Sequence, residues 1–269
     1  MSPDLLPVSY SGAPGAYSEE AARRAFGPTV STLTCTDVAA ALDAVSEGRA
    51  RAAVVAVENS VTGSFPGLAD TLVGRDLAIA GEVVLPLRHC LMAVPGARME
   101  GIAEVLSHPS ALGQCRDWIA RSGWAARPAD DTAAAAQELV AKGEAGTAVL
   151  GSRVLAGLYG LEILAEGIAD SSENVTRFLV FTATGDAAGR RTAVLVGPVD
   201  EPRTLRNLRI HLESLDATRV RAPFVGARDG RTFLVEFDHP EARGVEIAEQ
   251  ALARVPFRLL GSWDCRRVG

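Results

Sequence analysis

Arg51 to Val57 reads RAAVVAV, and Glu58-Asn59-Ser60 follows without a break. A short strand that is apolar almost throughout suits burial on both faces, inside a sheet covered by helices. The flanking segments agree with that placement. Pro7 to Ser11 predicts a strand, and GAPGAYSEEAARRAFG then turns into a helix beginning near Ser18. Ser18 suits the N-cap, and Glu19 and Glu20 in the first turn oppose the helix dipole. Thr36 and Asp37 cap a second helix running through Val38, Leu42 and Val45 to Gly48. Strand, helix and buried strand in this order are the α/β signature.

The same reading continues through Leu77 to Val84, the segment LRHCLMAVPGA, a strand at Glu104 to Ser107 and a helix from Ser110 to Ser122. An alanine-rich helix runs from Thr132 to Lys142 behind Asp130, Asp131 and Thr132, and strands follow at Thr147 to Leu150 and Arg177 to Thr182. GDAAGRR reads as a linker. Beyond it the pattern changes to strand, helix, two strands around an ARDG turn, helix and strand, the βαββαβ ferredoxin-like arrangement. The division expected is 1-187 for the larger domain and 188-269 for the smaller.

Composition removes several functions. A net charge of −6 and a pI near 5.3 argue against a nucleic-acid or anionic-membrane binder. No window approaches a membrane span, and no basic, apolar leader opens the chain, so a cytoplasmic protein is expected. The four cysteines, Cys35, Cys90, Cys115 and Cys265, are scattered without a CxxC pair, so neither a metal site nor a disulfide framework is expected.

Four clusters place polar groups where strands end, which is where open α/β sheets bind ligands. Ser11 to Ser18 is a glycine-bearing turn into a helix; it reads as an anion cradle or as an ordinary turn. Glu58-Asn59-Ser60 reads as recognition of a small polar molecule or as capping of the next helix. Ser107-His108-Pro109-Ser110-Ala111-Leu112-Gly113-Gln114-Cys115 carries Ser107 at a strand end and Gln114 about one turn into a helix. His108 there reads as a general base or as structural. Asp170 to Phe178 is a polar loop entering a strand, with Thr176 beside Arg177.

In order and spacing the four clusters resemble the prephenate dehydratase family across residues 8 to 183. The family's G-x-P-G-[TA]-[FY]-S appears as Gly12 to Ser18, its E-N-S-x-x-G as Glu58 to Gly63, and its N-x-T-R-F as Asn174 to Phe178. Its S-H-P-Q-A-L-x-Q-C appears as Ser107 to Cys115, with Ser110 where glutamine is usual. The resemblance implies an α/β catalytic domain of two lobes around a cleft, with the topology of type II periplasmic binding proteins. Lobe one is then 8-84 plus 166-184, and lobe two is 85-165. It implies a lyase that converts prephenate to phenylpyruvate with loss of water and carbon dioxide, without metal or organic cofactor. The catalytic residues it implies are Thr176, Asn59, Ser107 and Gln114. Glu58, Ser60, Arg177, Ser18 and Ala16 are the expected substrate-binding residues, with Arg177 read as pairing a substrate carboxylate or as structural, and Glu58 as shaping the site through hydrogen bonds.

Residues 190–269 resemble an ACT regulatory domain, and a homodimer or homotetramer is expected. The two phenylalanine-binding motifs of feedback-regulated members are altered: Pro202-Arg203-Thr204-Leu205 replaces the first, and Arg221-Ala222-Pro223-Phe224 stands in place of the second. Ordinary inhibition by phenylalanine is therefore not expected. Arogenate dehydratase, prephenate decarboxylase and non-enzymatic small-molecule binding protein are the alternative readings. Ala16 is compatible with prephenate or arogenate, and the intact Thr176-Arg177-Phe178 argues against the decarboxylase.

Overall fold

A computed structural model describes residues 6–185, 188–199, 202–225, 231–241 and 243–264. The chain opens with β1 (Val8–Ser11), α1 (Tyr17–Phe26), β2 (Thr32–Cys35), α2 (Val38–Ser46) and β3 (Ala52–Asn59), followed by the two-residue β4 (Gly63–Ser64), α3 (Leu68–Leu72) and β5 (Ala78–Pro86). It then crosses to a second lobe: β6 (Cys90–Ala93), β7 (Glu104–Ser107), α4 (Pro109–Gln114), α5 (Arg116–Ser122), β8 (Ala125–Pro128), α6 (Thr132–Lys142), β9 (Thr147–Gly151), α7 (Val154–Tyr159) and β10 (Glu162–Glu166). It returns to the first lobe as β11 (Val175–Thr182).

The first sheet has the order β2-β1-β3-β11-β5, with β11 antiparallel to both β3 and β5. The second has the order β10-β6-β9-β7-β8. Strand β3 is buried along nearly its whole length, as its apolar run requires. These are the two lobes of the periplasmic-binding-protein-like catalytic fold.

Two helices differ from their sequence reading. The helix expected from Ser110 to Ser122 is broken at Cys115, whose φ of −120° leaves the helical region. The break frees the Gln114 carbonyl, which accepts the amide of Asp170 at 2.7 Å. Helix α1 starts at Tyr17 with Ala16 as its N-cap, so Ser18 lies inside the first turn. Glu19 takes over the capping work, its carboxylate accepting the Gly15 amide at 2.7 Å.

The C-terminal part runs β12 (Arg191–Val196), α8 (Pro202–Ser214), β13 (Thr218–Val225), β14 (Phe233–Asp238), α9 (Gly244–Ala251) and β15 (Phe257–Trp263). Its sheet order, β13-β14-β12-β15, is that of a ferredoxin-like ACT domain. The ARDG turn lies outside the described residues, as do the side chains of Pro202, Arg203 and Ala222 to Val225.

Alternation along the strands divides this sheet's two faces. Val194, Val196, Val235 and Phe237 pack under α8 and α9 with Leu208, Leu212 and Ile247. Ala193, Leu195, Leu234, Leu260 and Trp263 turn the other way and share one core with Leu179 and Phe181 of β11. The two sheets therefore lie face to face. A Cβ at Gly261 would come within 2.5 Å of the Ile79 carbonyl oxygen, so β15 can cross β5 this closely only with glycine there. Among the described residues no helix is long and apolar enough to cross a membrane.

Candidate functional site

A cleft of about 380 Å³ opens between the lobes. Lobe one lines it with Ser11, Gly12, Ala16, Tyr17 and Ser18 around the start of α1, Thr36 and Asp37 ahead of α2, Asn59 at the end of β3, and Thr176 and Phe178 on β11. Lobe two contributes His108 ahead of α4, Ser110 and Gln114 within it, and Asp130, Asp131 and Thr132 at the start of α6. His89, in the crossing between the lobes, completes the wall.

The end of β3 sets the polarity of the site. The Val61 and Thr62 amides both point at Asn59 Oδ1, at 2.9 and 3.0 Å. Because a backbone N–H can only donate, that atom must be the side chain's oxygen. Asn59 Nδ2 therefore faces Asn174 Oδ1 at 2.8 Å and Thr176 Oγ1 at 2.9 Å. Thr176 accepts from the amide, which leaves its own hydroxyl hydrogen to donate elsewhere.

The same logic runs outward. Gln114 Nε2 donates to Asn59 Oδ1 at 3.2 Å, so its Oε1 is turned to Asn174 Nδ2 at 2.9 Å and to His89 Nε2 at 2.6 Å. His89 must then carry its proton on Nε2, and its Nδ1 accepts the Tyr17 hydroxyl at 3.0 Å. Burial pulls the His89 pKa below the ordinary imidazole value, against the opposing bond to Gln114, and so favours the neutral ring. Burial likewise pushes the Tyr17 phenol well up, reinforced by Glu20, Cys90 and Cys115, so it stays a donor. The Cys115 thiol is pushed up to about 12, first by burial and then by Asp170, which leaves it no nucleophilic role near neutral pH.

Several contacts tie the lobes together over the cleft. Asp131 caps α6 through Oδ1 and accepts the Ala13 amide through Oδ2 at 2.9 Å. The Tyr159 hydroxyl donates to the Pro14 carbonyl at 2.7 Å, and Ser152 donates to the Gly15 carbonyl at 3.3 Å. The glycine-bearing turn is thus clasped by lobe two.

Of the residues expected from the sequence, Asn59, Gln114 and Thr176 meet in one hydrogen-bonded group, and Ala16 and Ser18 line the same cleft. The other four lie elsewhere. Ser107 is fully buried and donates to the Leu150 carbonyl at 2.8 Å, a tie between neighbouring strands. Ser60 donates to the Glu173 carbonyl and accepts the Val175 amide, fastening the loop ahead of β11. Arg177 and Glu58 leave the cleft because each follows or precedes a cleft-facing residue on a strand. Arg177 instead meets Glu58 at 3.3 Å, Glu82 at 3.2 Å and Glu236 at 3.0 Å on the opposite face of the sheet.

His89, Asn174 and Tyr17 were not among the expected site residues. Asn174 and Tyr17 belong to motifs already quoted, and His89 follows Arg88 at the start of an apolar run. Among the described residues no group of three or more His, Cys, Asp or Glu could hold a metal ion.

Residues 8–185 match the family model described as prephenate dehydratase. Arogenate dehydratase 1 of Petunia hybrida is 46% identical over 182 residues, covering 67% of this chain and 43% of the relative. The chain thus spans less than half the length of that curated relative. Among solved structures, the prephenate dehydratase of Arthrobacter aurescens in complex with L-Phe superposes with a TM-score of 0.84 at 29% identity, covering 97% of this chain and 90% of that one. A structure titled GqqA, a novel type of quorum quenching acylase, superposes with a TM-score of 0.83 at 30% identity, covering 96% and 98%.

Proposed function

The chain belongs to the prephenate dehydratase family, and we propose that its cleft removes water and carbon dioxide from prephenate to give phenylpyruvate. The single observation behind this reading is the Thr176 hydroxyl, locked as acceptor by Asn59 and left with a hydrogen to donate into the cleft. In the reaction the ring carboxylate leaves as carbon dioxide, its bonding pair enters the ring, and the para hydroxyl departs with one proton as water. The hard part is expelling hydroxide. A donor aimed at the departing oxygen stabilises charge that exists only in the transition state.

Among the described residues that line the cleft, none is a lysine or an arginine. Substrate carboxylates would therefore be met by hydroxyls such as Ser18 and Thr132 and by the amides that open α1, those of α6 being taken by Asp131. The same lining carries Asp37, Asp130 and Asp131, which favours a second reading in which arogenate is the substrate. Its side-chain ammonium is attracted to acidic groups, and the Petunia relative bears that name. The likeness to the acylase-titled structure brings no acylase reading, because the threonine of the cleft floor is paired with an amide, not with a histidine base.

For the C-terminal domain we propose an architectural role in a homodimer or homotetramer in the cytoplasm, with at most weak response to phenylalanine. Titration calorimetry with phenylalanine tests this, and micromolar binding would overturn it. The decisive assay for the enzyme is purified protein with prephenate and, separately, arogenate. Phenylpyruvate or phenylalanine formation supports the reading and selects between substrates. Inactivity toward both overturns it.

A further inference from the structure

The contact between the catalytic sheet and the C-terminal sheet is mostly apolar, built from Leu179, Phe181, Leu195, Leu234, Leu260 and Trp263. Apolar packing of this kind is non-directional. At one edge it gives way to a lattice of buried charge. Arg177 presents its guanidinium fork to Glu236, Nη1 and Nη2 donating at 3.1 and 3.0 Å. The two side chains are 9% and 1% exposed. Arg221 Nε donates to the same Glu236 at 3.1 Å and its guanidinium lies 3.6 Å from Glu58. Such lattices contribute little net stability, since desolvation offsets attraction, but a fork on a carboxylate fixes direction and register.

The position of the lattice gives that register a purpose. Thr176 pairs with Asn59 across β11 and β3, and the next rung pairs Arg177 with Glu58. One rung faces the cleft and the other faces the C-terminal domain. The ladder is interrupted immediately beyond, where a bulge shifts the register between Arg177 and Phe178. The shift affects the β3 side alone, since β11 keeps an unbroken register with β5 from Val175 to Val180. The end of β3 that carries Asn59 and Glu58 is therefore set apart from the regular β3–β11 ladder, and the charge lattice restrains it across the bulge.

We propose that Glu236 and Arg221 of the C-terminal domain are positioning residues for the cleft: by holding Arg177 and Glu58 on one face of the sheet, they fix Thr176 and Asn59 on the other. The inference rests on Thr176 being the donor of the proposed reaction. Rigid, nearly planar peptide units join Arg177 to Thr176 and Glu58 to Asn59, so displacing the charged pair displaces the active pair. The C-terminal domain is on this account part of the catalytic apparatus, whether or not it binds an effector.

The test compares four full-length proteins: wild type, Glu236→Gln, Arg221→Gln and Leu234→Ala. Leu234 lies on the same strand and the same face as Glu236 but carries no charge. Steady-state rates with prephenate and arogenate are measured well below each unfolding temperature. The Thr176 methyl resonance is followed by carbon-13 methyl NMR and assigned with Thr176→Ser. Glu236→Gln should lower kcat roughly tenfold and Arg221→Gln about threefold, with KM nearly unmoved, the size expected for a misplacement well under 1 Å. Both should shift the Thr176 methyl resonance, while Leu234→Ala lowers the unfolding temperature without either change. Wild-type kcat and an unmoved resonance in both charge variants would overturn the proposal. So would an equal fall in Leu234→Ala, which would assign the effect to the interface as a whole. If Glu236→Gln does not fold, Arg221→Gln decides alone, since its side chain is only partly buried. If wild type turns over neither substrate, the dehydratase reading fails, and the methyl resonance still decides whether these charges position Thr176.

Discussion

Asn59 Nδ2 donates to Thr176 Oγ1 at 2.9 Å across neighbouring strands, and two backbone amides hold the Asn59 side chain in the only orientation that permits it. Thr176→Ala should therefore lower kcat by about 10²- to 10³-fold, the cost of one transition-state donor. Asn59→Ala should fall in the same range, because it leaves the hydroxyl without its orienting partner. The two residues act as a unit, so the double variant should lose little beyond the worse single one. Thr176→Ser, which keeps the hydroxyl, should retain much of the activity. Additive losses in the double variant would show that the two residues act separately.

His89 gives the fold a pH dependence with a definite sign. Its folded pKa lies below its unfolded value, chiefly because burial disfavours the charged ring. The unfolded chain therefore binds more protons as pH falls through about 6.5. Stability from the neutral ring is complete above that pH and is lost as pH drops toward the folded pKa. His108 is lowered in the same direction by burial, with Asp131 opposing, and adds to the slope. Unfolding temperatures measured from neutral pH downward should fall for wild type and fall less for His89→Gln. Identical slopes would remove His89 as the source.

The sequence made the convergence of Asn59, Gln114 and Thr176 legible because each belongs to a recognisable motif at a strand end or in a helix's first turns. The face each neighbour takes was less legible. Once 175–182 is a strand, Thr176 and Arg177 must point oppositely, so both could not serve the cleft. Reading Thr176 as part of a loop hid that constraint. Glu58 beside Asn59 was misplaced by the same step. Arg177's true partners lie as far as Glu236, in a different domain, and no local pattern announces a contact over that separation. Short elements were lost for a different reason: β8 is a four-residue, largely exposed strand with no apolar run to betray it.

Gly15 has a φ of +92°, and a Cβ there would meet Leu155 Cδ2 at 2.6 Å. The turn it belongs to is clasped by α7, so added bulk would push the lobes apart as well as strain the backbone. Gly15→Ala should lower kcat/KM by roughly 10- to 100-fold, in keeping with displaced catalytic groups. Adding Leu155→Ala removes the collision but not the strained φ, and should restore only part of the loss. Full wild-type kcat/KM in Gly15→Ala would mean that closure of this turn is irrelevant to turnover.

Asp131 separates lobe closure from helix capping, because its two oxygens do different work. Oδ1 accepts the Ala133 and Ala134 amides and starts α6, while Oδ2 accepts the Ala13 amide of the other lobe. Asparagine has one oxygen, so Asp131→Asn can keep the cap only by turning its NH2 toward the Ala13 N–H, donor against donor. That variant should unfold near the wild-type temperature but show a KM raised several-fold, about 1 kcal/mol of lost closure. Asp131→Ala loses both contacts. It should show the same rise in KM and an additional stability loss of about 1 kcal/mol from the missing cap. Thermal melts and steady-state kinetics on the two variants measure the two effects independently. A wild-type KM in Asp131→Asn would show that the bond to Ala13 does not contribute to holding substrate.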